Sequence, residues 1–260
     1  MENAGHHRQG MDLKEYIKGG VAHLPEGLET IPANAFAACP FLFFVEIPSS
    51  VKTIEAGAFK GCPFLTSVTI PDSVTKIRPS AFEGCIRLVS VVLPRGLKKL
   101  EAYTFRDCRS LTDVSLPSGL TEIGRFSFRR CTRLTYIDIP SSVTVIWTGA
   151  FSDCEGLKEL VIPSGVIRIR GRAFSGHGLE ELEIPESLTE VEEDSFEVPC
   201  LKTIRVHQSD VSAAEQLLRR VLAHFDGYGA CALIVPIGTR DAYRQNSYFG
   251  QFKEIIASPK

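Results

Sequence analysis

From Ile47 to Pro71 the sequence reads I-P-S-S-V-K-T-I-E-A-G-A-F-K-G-C-P-F-L-T-S-V-T-I-P, and this stretch begins and ends with the same Ile-Pro pair. The two prolines are 23 residues apart, and related stretches precede and follow them. Prolines keep this interval through seven positions and then recur once after 22 residues: Pro25, Pro48, Pro71, Pro94, Pro117, Pro140, Pro163 and Pro185. The chain is therefore built from an internal repeat.

Three further columns of residues fix the register of the repeat. Eleven residues after each proline comes a phenylalanine: Phe36, Phe59, Phe82, Phe105, Phe128, Phe151, Phe174 and Phe196. Fourteen residues after the first six prolines comes a cysteine: Cys39, Cys62, Cys85, Cys108, Cys131 and Cys154. A leucine follows each cysteine by three residues. Self-similarity at a fixed period of this length predicts a solenoid of about eight stacked repeats, because one repeat cannot bury its apolar positions alone.

Each repeat contains two short extended segments and a turn. The segment L-x-x-V-x-I-P, as from Leu65 to Pro71, alternates apolar and polar residues and predicts a strand, which the proline ends because it has no N–H to donate. The segment V-x-x-I, as at Val51 and Ile54, predicts a second extended segment. The segment A-F-x-x-C predicts a turn with a short 3₁₀ or helical piece. Stacking then makes a parallel sheet within one elongated domain.

The ends of the chain depart from the repeat and predict three regions: an N-terminal arm and cap at 1–20, the array at 21–207 and a C-terminal cap at 208–260. Asp12 and Glu15 have the spacing of a capping box. A helical period begins at Val211 and lasts to Phe225, and a strand from Cys231 and a second short helix follow it. We therefore expect a helix–strand–helix cap over the open end of the core.

The pattern I-P-x-S-V-x-x-I-x-x-x-A-F-x-x-C-x-x-L-x-x-V-x-I-P resembles the BspA-type, or Treponema-type, leucine-rich repeat family over about residues 21–207. The tail V-P-I-G-T-R-D-A-Y, from Val235 to Tyr243, resembles the closing segment of such arrays. The resemblance implies a right-handed, curved leucine-rich-repeat solenoid with the parallel sheet on its concave face. It also implies a bacterial binding or adhesion protein without catalytic activity. Members usually carry Gly after the Ile of V-x-x-I, which only Gly124 retains here.

The overall composition gives no reason to expect a nucleic-acid or membrane protein. Apolar residues make up 44% of the chain, charged residues 23%, and the net charge is −2. No run of 18 apolar residues predicts insertion into a membrane. The first ten residues lack the apolar region of a signal peptide, which slightly favours a cytoplasmic location. A secreted or cell-surface location is the alternative that the resemblance implies.

The cysteine column does not predict a metal site, because zinc sites use closely spaced pairs such as C-x₂-C. We expect parallel thiols that point into the core, with disulfides between neighbouring turns as the alternative. Free thiols in this number also favour a reducing compartment. No catalytic sequence motif is present. We therefore predict no enzyme, no catalytic residue, no cofactor, no metal and no small-molecule substrate.

The outward strand positions vary along the array, whereas the inward ones do not. From the N-terminal to the C-terminal repeats, the outward residues are first aromatic, then small and hydroxyl-bearing, and finally acidic. The candidate partner-binding residues are Phe43, Phe44, Thr69, Asp113, Tyr136, Asp138, Glu159, Glu181 and Glu183. An apolar-to-acidic gradient on a concave sheet suits a protein partner, especially a basic polypeptide. For any single residue, the alternative is an ordinary solvated strand position.

A second cluster is basic and lies largely in the turns of the middle repeats: Arg106, Arg109, Arg125, Arg129, Arg130 and Arg133. Neighbouring turns would align these residues as a ridge that could bind an anionic polysaccharide or nucleic acid. We rank this alternative below a protein partner, because only Tyr103 and Phe126 interleave with the arginines. A third hypothesis is a structural spacer without a specific partner. In each case we expect a monomer.

Overall fold

The computed structural model describes residues 12–176 and 178–258 and shows stacked turns, most of which contribute a short strand to each of two series that run along the array and pair in parallel. The arm predicted at residues 1–10 lies outside the described residues. Equivalent residues of successive repeats pair in register, as Ser67 does with Ser90 and Ser90 with Asp113. The predicted parallel solenoid is confirmed, with about ten stacked turns instead of eight.

The first ladder, which we call the strand face, comes from the segments L-x-x-V-x-I-P. Its strands are β2 (Val21–His23), β4 (Phe44–Glu46), β6 (Ser67–Thr69), β8 (Ser90–Val92), β10 (Asp113–Ser115), β13 (Glu159–Val161), β15 (Glu181–Ile184), β17 (Thr203–Val206), β18 (Ala232–Val235) and β19 (Glu254–Ala257). In a typical strand such as β6, the central Val68 is buried and its two neighbours lie at the surface. The alternation predicted from the sequence is therefore present.

Strand pairing along this face does not join β4 to β6, and it is interrupted again between β10 and β13, at residues 135–139. Ile137 and Ile139 remain buried there, as in the other turns. However, residues 135–139 form no strand and make no backbone hydrogen bond to a neighbouring turn within the described part of the chain. The core is continuous at this turn, but the peptide groups at its surface are unpaired.

The second ladder comes from the segments V-x-x-I and runs along another side of the array. Its strands are β3 (Thr30–Ile31), β5 (Thr53–Ile54), β7 (Lys76–Ile77), β9 (Lys99–Leu100), β11 (Glu122–Ile123), β12 (Val145–Ile146), β14 (Arg168–Ile169) and β16 (Glu190–Val191). The first three and the last five pair as separate groups, because β7 and β9 do not pair with each other. Glu122 accepts hydrogen bonds from Lys99 and from Trp147 Nε1, the latter at 3.0 Å. Partial burial opposes ionisation of Glu122, but these bonds outweigh it and lower the pKa of its carboxyl group.

The phenylalanine column forms a continuous stack of rings in the core. The eight rings from Phe36 to Phe196 are almost fully buried, and successive ring centroids lie 5.1–5.7 Å apart. The planes of neighbouring rings differ by 2–20°. Each repeat thus buries an aromatic face on the preceding ring, which makes the apolar contact between turns continuous.

The cysteine column satisfies backbone carbonyl groups of the core. Sγ of Cys62 donates a hydrogen bond to Phe36 O at 3.0 Å, and the next four cysteines repeat this contact with the phenylalanine 26 residues earlier. All eight cysteines are free thiols, and only Cys200 is exposed. The predicted core thiols are confirmed. Burial raises the pKa of the Cys108 and Cys154 thiols well above its usual range, and that of Cys231 to about 11.

The A-F-x-x-C segment differs from the predicted 3₁₀ piece, because two residues of each turn adopt positive φ. In one turn these residues are Gly57, with φ of 64°, and Gly61, with φ of 69°. In this turn Gly57 N, Phe59 N and Gly61 N all donate to carbonyl groups of the next repeat, at 2.6–3.1 Å. The turns therefore form a third hydrogen-bonded ladder instead of a helix.

The N-terminal end is closed by a short hairpin. A 3₁₀ helix at Leu13–Tyr16 buries Leu13, and Asp12 Oδ1 caps it by accepting a hydrogen bond from Lys14 N. The strand β1 (Ile17–Lys18) then pairs with β2 in antiparallel orientation. The edge of the first turn is thereby paired.

The C-terminal region contains the predicted helices, but its strands continue the array. The helices are α1 (Val211–Val221), capped by Asp210, and α2 (Arg240–Gln245). Strands β18 and β19 extend the strand face in parallel from β17. The last strand was not predicted, because the period of 23 residues is lost here. Tyr243 ties the helices to the array, since its buried hydroxyl donates to Gln208 O at 2.6 Å.

Candidate functional site

The nine candidate residues on the strand face lie on several successive turns, and pairing of the strands sets their neighbours. In one column Asp113 pairs with Ser90 and through it with Ser67, and after the interruption Glu159 and Glu181 pair in register. Phe44 holds the equivalent position in β4, which does not pair with β6. A second column contains Thr69, which pairs with Val92 and through it with Ser115. The structure therefore distributes the candidates over one long surface instead of a single pocket.

The aromatic end of the face is partly structural. The side chain of Phe43 is 42% exposed and its ring packs on Phe64 at 5.5 Å, while Arg87 lies over the Phe64 ring at 4.8 Å. Phe44 is 48% exposed. Phe41 is more exposed than either, and sequence reasoning missed it because it precedes the strand pattern.

The centre of the face coincides with the interrupted turn. Tyr136 is 67% exposed, and Asp138 lies exposed two residues further along the same turn. Asp113, on the turn before, is also exposed. An exposed aromatic ring, two carboxylates and unpaired peptide groups therefore occupy the same part of the surface.

The acidic end forms a shallow depression of about 320 Å³, lined by residues of β13, β15, β17 and β18. Val161 and Ile234 supply apolar surface, and Glu159 and Glu181 supply carboxylates. Glu183 differs from these two, because Arg205 and His207 approach its carboxylate at 3.4 and 2.8 Å. Its charge is therefore balanced within the chain.

Four carboxylates on the face lack such a partner. Within residues 12–176 and 178–258, Asp113, Asp138, Glu159 and Glu181 form no ion pair, whereas the neighbouring Glu180 binds Lys202. Glu159 and Glu181 also pair directly across the sheet, and like charges in that position repel each other. The centre and the acidic end of the face therefore carry uncompensated negative charge beside exposed apolar side chains.

The arginine ridge is partly neutralised. Asp107 lies within 3.7 Å of Arg106, Arg109 and Arg130, and Asp153 lies 3.2 Å from Arg129. These two aspartates occupy positive-φ positions of the turns, where other repeats carry glycine. Arg125 and Arg133 are exposed and form no ion pair within the described residues.

The described residues hold no arrangement of three or more His, Cys, Asp or Glu that could bind a metal ion. Among the same residues, no helix has the length and apolarity that a bilayer span requires.

Comparisons with known proteins agree with the repeat. The sequence profile of the BspA type Leucine rich repeat region matches six copies over residues 29–158 and 75–204. A comparison with functionally curated proteins found no match.

Three solved structures show the same fold. A leucine-rich repeat protein from Bacteroides ovatus aligns with a TM-score of 0.70 at 23% identity, over 92% of this chain and 60% of that one. A leucine rich cell surface protein from Faecalibacterium prausnitzii aligns at 0.51 and 27%, over 75% and 61%. The leucine rich repeat protein of T. pallidum aligns at 0.56 and 34%, over 61% and 76%. The chain thus spans about three fifths of the length of the first two proteins.

The profile covers more than half of the sequence, and the structure repeats the same proline, phenylalanine and cysteine columns turn by turn. The chain therefore belongs to the BspA-type leucine-rich repeat family.

Proposed function

We propose that the chain is a non-catalytic protein-interaction module that binds a basic segment of another protein through its strand face. The observation that carries this proposal is the set of four unpaired carboxylates beside exposed apolar side chains. Several charged side chains elsewhere in the array pair with a neighbouring turn, as Glu190 does with Arg168, whereas these four carboxylates have no such partner within residues 12–176 and 178–258. Carboxylates that lack such a partner are available to the cations of another molecule, and they speed and orient its association.

The apolar component of the face supports a protein partner over a small ion. Val92, Val161 and Tyr136 are each more than half exposed, and they lie on the same face as the carboxylates. Aromatic anchors surrounded by polar residues are typical of protein interfaces. The similar structure from F. prausnitzii is that of a leucine rich cell surface protein, which is consistent with an interaction role.

The arginine ridge receives less support. A depression of about 520 Å³ lies between Arg109, Arg129 and Arg130, but Asp153 and Glu155 line it as well. Its charges nearly cancel, so an anionic polymer would have to displace existing ion pairs.

The test compares two neutralised variants of the intact chain. The first carries Asp113→Asn, Asp138→Asn, Glu159→Gln and Glu181→Gln on the strand face. The matched control carries four Glu→Gln changes at exposed positions away from that face: Glu26, Glu29, Glu186 and Glu193. Both variants change the net charge equally, so a difference between them reports position instead of total charge.

Immobilised wild type and both variants are used to capture proteins from cell lysate and from extracellular-matrix extract. We expect the face variant to bind the captured partner at least about fourfold more weakly, since each of the four exposed charge pairs contributes about 0.2–1 kcal/mol. We expect the control variant to keep it. Equal capture by all three proteins would contradict the proposed site.

A further inference from the structure

The aromatic end of the strand face exposes a large apolar area, which we call the aromatic patch. Its residues Phe41, Phe43 and Phe44 lie on one turn and are 71%, 42% and 48% exposed. A buried phenylalanine covers roughly 150–250 Å², so these fractions correspond to about 240–400 Å² of apolar surface. Ile86 and Val89, two turns further along, are also exposed. Contiguous apolar areas of this size commonly mark an interaction site.

The aromatic patch is held in place by its neighbours. The ring of Phe43 lies against Gly20, where a Cβ would clash with it, and its centroid is 5.5 Å from that of Phe64. Phe43 N and Phe44 N both donate to Gly20 O, at 2.8 and 3.2 Å. The rings of Phe41 and Phe44 make no ring contact within the described part of the chain. A ligand can therefore contact both rings without displacing a neighbour, which lowers the cost of binding.

We propose that the aromatic patch and the four unpaired carboxylates are two subsites for one polypeptide. The segment bound by the strand face then carries an apolar anchor, with aromatic or large aliphatic side chains, at a set distance from its basic residues. This inference rests on the proposed function, because it adds a second subsite to the same face and a second element to the same partner.

The two subsites lie on one continuous surface. Phe44 and Asp113 occupy equivalent positions of turns that are three repeats apart. The equivalent positions between them hold Ser67 and Ser90, whose small side chains leave the surface unobstructed. A segment that follows this column therefore reaches the aromatic patch at one end and Asp113 at the other.

The distance between the subsites follows from the stacking of the turns. Three turns at the usual strand separation of about 4.7–4.9 Å span about 14–15 Å. The core rings of the same turns lie 5.2–5.7 Å apart, which extends this range to about 17 Å. An extended segment of about four or five residues covers this distance. A flexible Gly-Ser segment of about eight residues has the same r.m.s. length.

The charges of the face favour a polypeptide over a lipid surface or a second copy of this chain. The unpaired carboxylates repel the anionic headgroups of a membrane. An isologous contact between two copies would cover the aromatic patch with itself and leave the carboxylates of both copies without cations. A segment with both apolar and basic residues satisfies both subsites at once.

The experiment measures binding of labelled peptides to the intact chain by fluorescence anisotropy. The basic half is Lys-Arg-Lys-Lys and the apolar half is Leu-Trp-Leu. Each half is tested alone, and the two are also joined by Gly-Ser linkers of eight or 32 residues. The patch variant carries Phe41→Ser and Phe44→Ser. Its matched control carries Ile167→Ser and Ile237→Ser, at exposed apolar positions outside the strand face.

We expect the peptide with the eight-residue linker to bind about tenfold more tightly than the basic half alone, because linkage makes the second contact intramolecular. We expect the 32-residue linker to bind about eightfold more weakly than the eight-residue linker, because the effective concentration falls with about the −3/2 power of linker length. The patch variant should bind the linked peptides no more tightly than the basic half, and the matched control should bind all peptides like the wild type.

Three results would overturn the inference. The first is equal affinity for the linked peptide and the basic half, and the second is a gain from linkage that persists in the patch variant. The third is another occupant of the aromatic patch: a dimer in sedimentation velocity that the patch variant dissociates, or binding to phosphatidylcholine vesicles that the patch variant loses.

The face variant separates this inference from the proposed function. If the face variant loses the basic half but the apolar half adds nothing in the wild type, the proposed function stands and the second subsite is wrong. If the face variant binds the basic half like the wild type and keeps every captured protein, the proposed function itself is wrong.

Discussion

Replacement of one ring in the phenylalanine stack should cost more in the middle of the array than at its end. Phe128 stacks on both Phe105, at 5.5 Å, and Phe151, at 5.3 Å. Phe36 begins the stack and has Phe59 as its ring neighbour, at 5.2 Å. Both side chains are fully buried. The two sites therefore have the same burial and differ in the number of stacked rings.

The expected magnitude follows from this difference. A leucine in place of either phenylalanine keeps most of the apolar volume and costs up to about 1.5 kcal/mol for shape. Each stacked pair contributes a further 0.5–1.5 kcal/mol or so beyond burial. Phe128→Leu loses two pairs and Phe36→Leu loses one. We expect Phe128→Leu to lower the free energy of unfolding by about 0.5–1.5 kcal/mol more than Phe36→Leu.

The assay is equilibrium unfolding in urea, followed by far-ultraviolet circular dichroism. Because repeat arrays can unfold in parts, the m-value of each variant must equal that of the wild type before the free energies are compared. Leu42→Ala and Leu134→Ala control for position, since both leucines are fully buried in one column at the same two repeats. If the leucine pair shows the same difference as the phenylalanine pair, stacking is not the cause and the reasoning is refuted.

Three further outcomes are expected. Ala38 has φ of 53°, so Ala38→Gly should stabilise the chain by about 0.5–1 kcal/mol, whereas Ala37→Gly should destabilise it in the same urea titration. Because seven of the eight thiols are buried, only Cys200 should react with a thiol reagent in the native chain and all eight after unfolding, as counted by mass spectrometry. The lowered pKa of Glu122 means that its contribution to stability is present above the usual pKa of a glutamate and is lost as the pH falls through the lower folded value. Fluorescence of Trp147, the single tryptophan, should therefore change with a midpoint below that of an ordinary glutamate, and Glu122→Gln should abolish the change.

The sequence was informative about the array because its constraints are periodic. A core position must be filled in every turn, so the phenylalanine and cysteine columns predicted which side chains are buried and which strand positions face outward. The two non-periodic strands at the C-terminus show the limit of this reasoning. β18 pairs with β17, but its residues do not lie at the interval of the repeat, so its place in the sheet could not be counted from the prolines.

The candidate site was only partly predictable for a different reason. The outward position of Glu183 followed from the strand pattern, but its ion pairs with Arg205 and His207 depend on which side chains of the next turn reach it. The same holds for Asp107 among the arginines. Likewise, residues 135–139 have the same apolar alternation as the other strands. The absence of backbone hydrogen bonds to the neighbouring turns could therefore not be predicted from the sequence. The repeat pattern predicts which side chains point outward, but their ion pairs and hydrogen bonds depend on the three-dimensional positions of neighbouring residues.

The contact between each cysteine and the phenylalanine carbonyl of the preceding turn has a consequence for how such a chain can change in length. Every junction between these turns uses the same donor, the same acceptor and the same ring contact. Removal or duplication of a whole 23-residue unit therefore recreates an identical junction, whereas a unit of another length must absorb the difference elsewhere in its turn, as happens between Phe174 and Phe196, which stack although they are 22 residues apart. The units are therefore interchangeable, and the residues on the outer surface of a unit can be substituted without changing the contacts that join it to its neighbours.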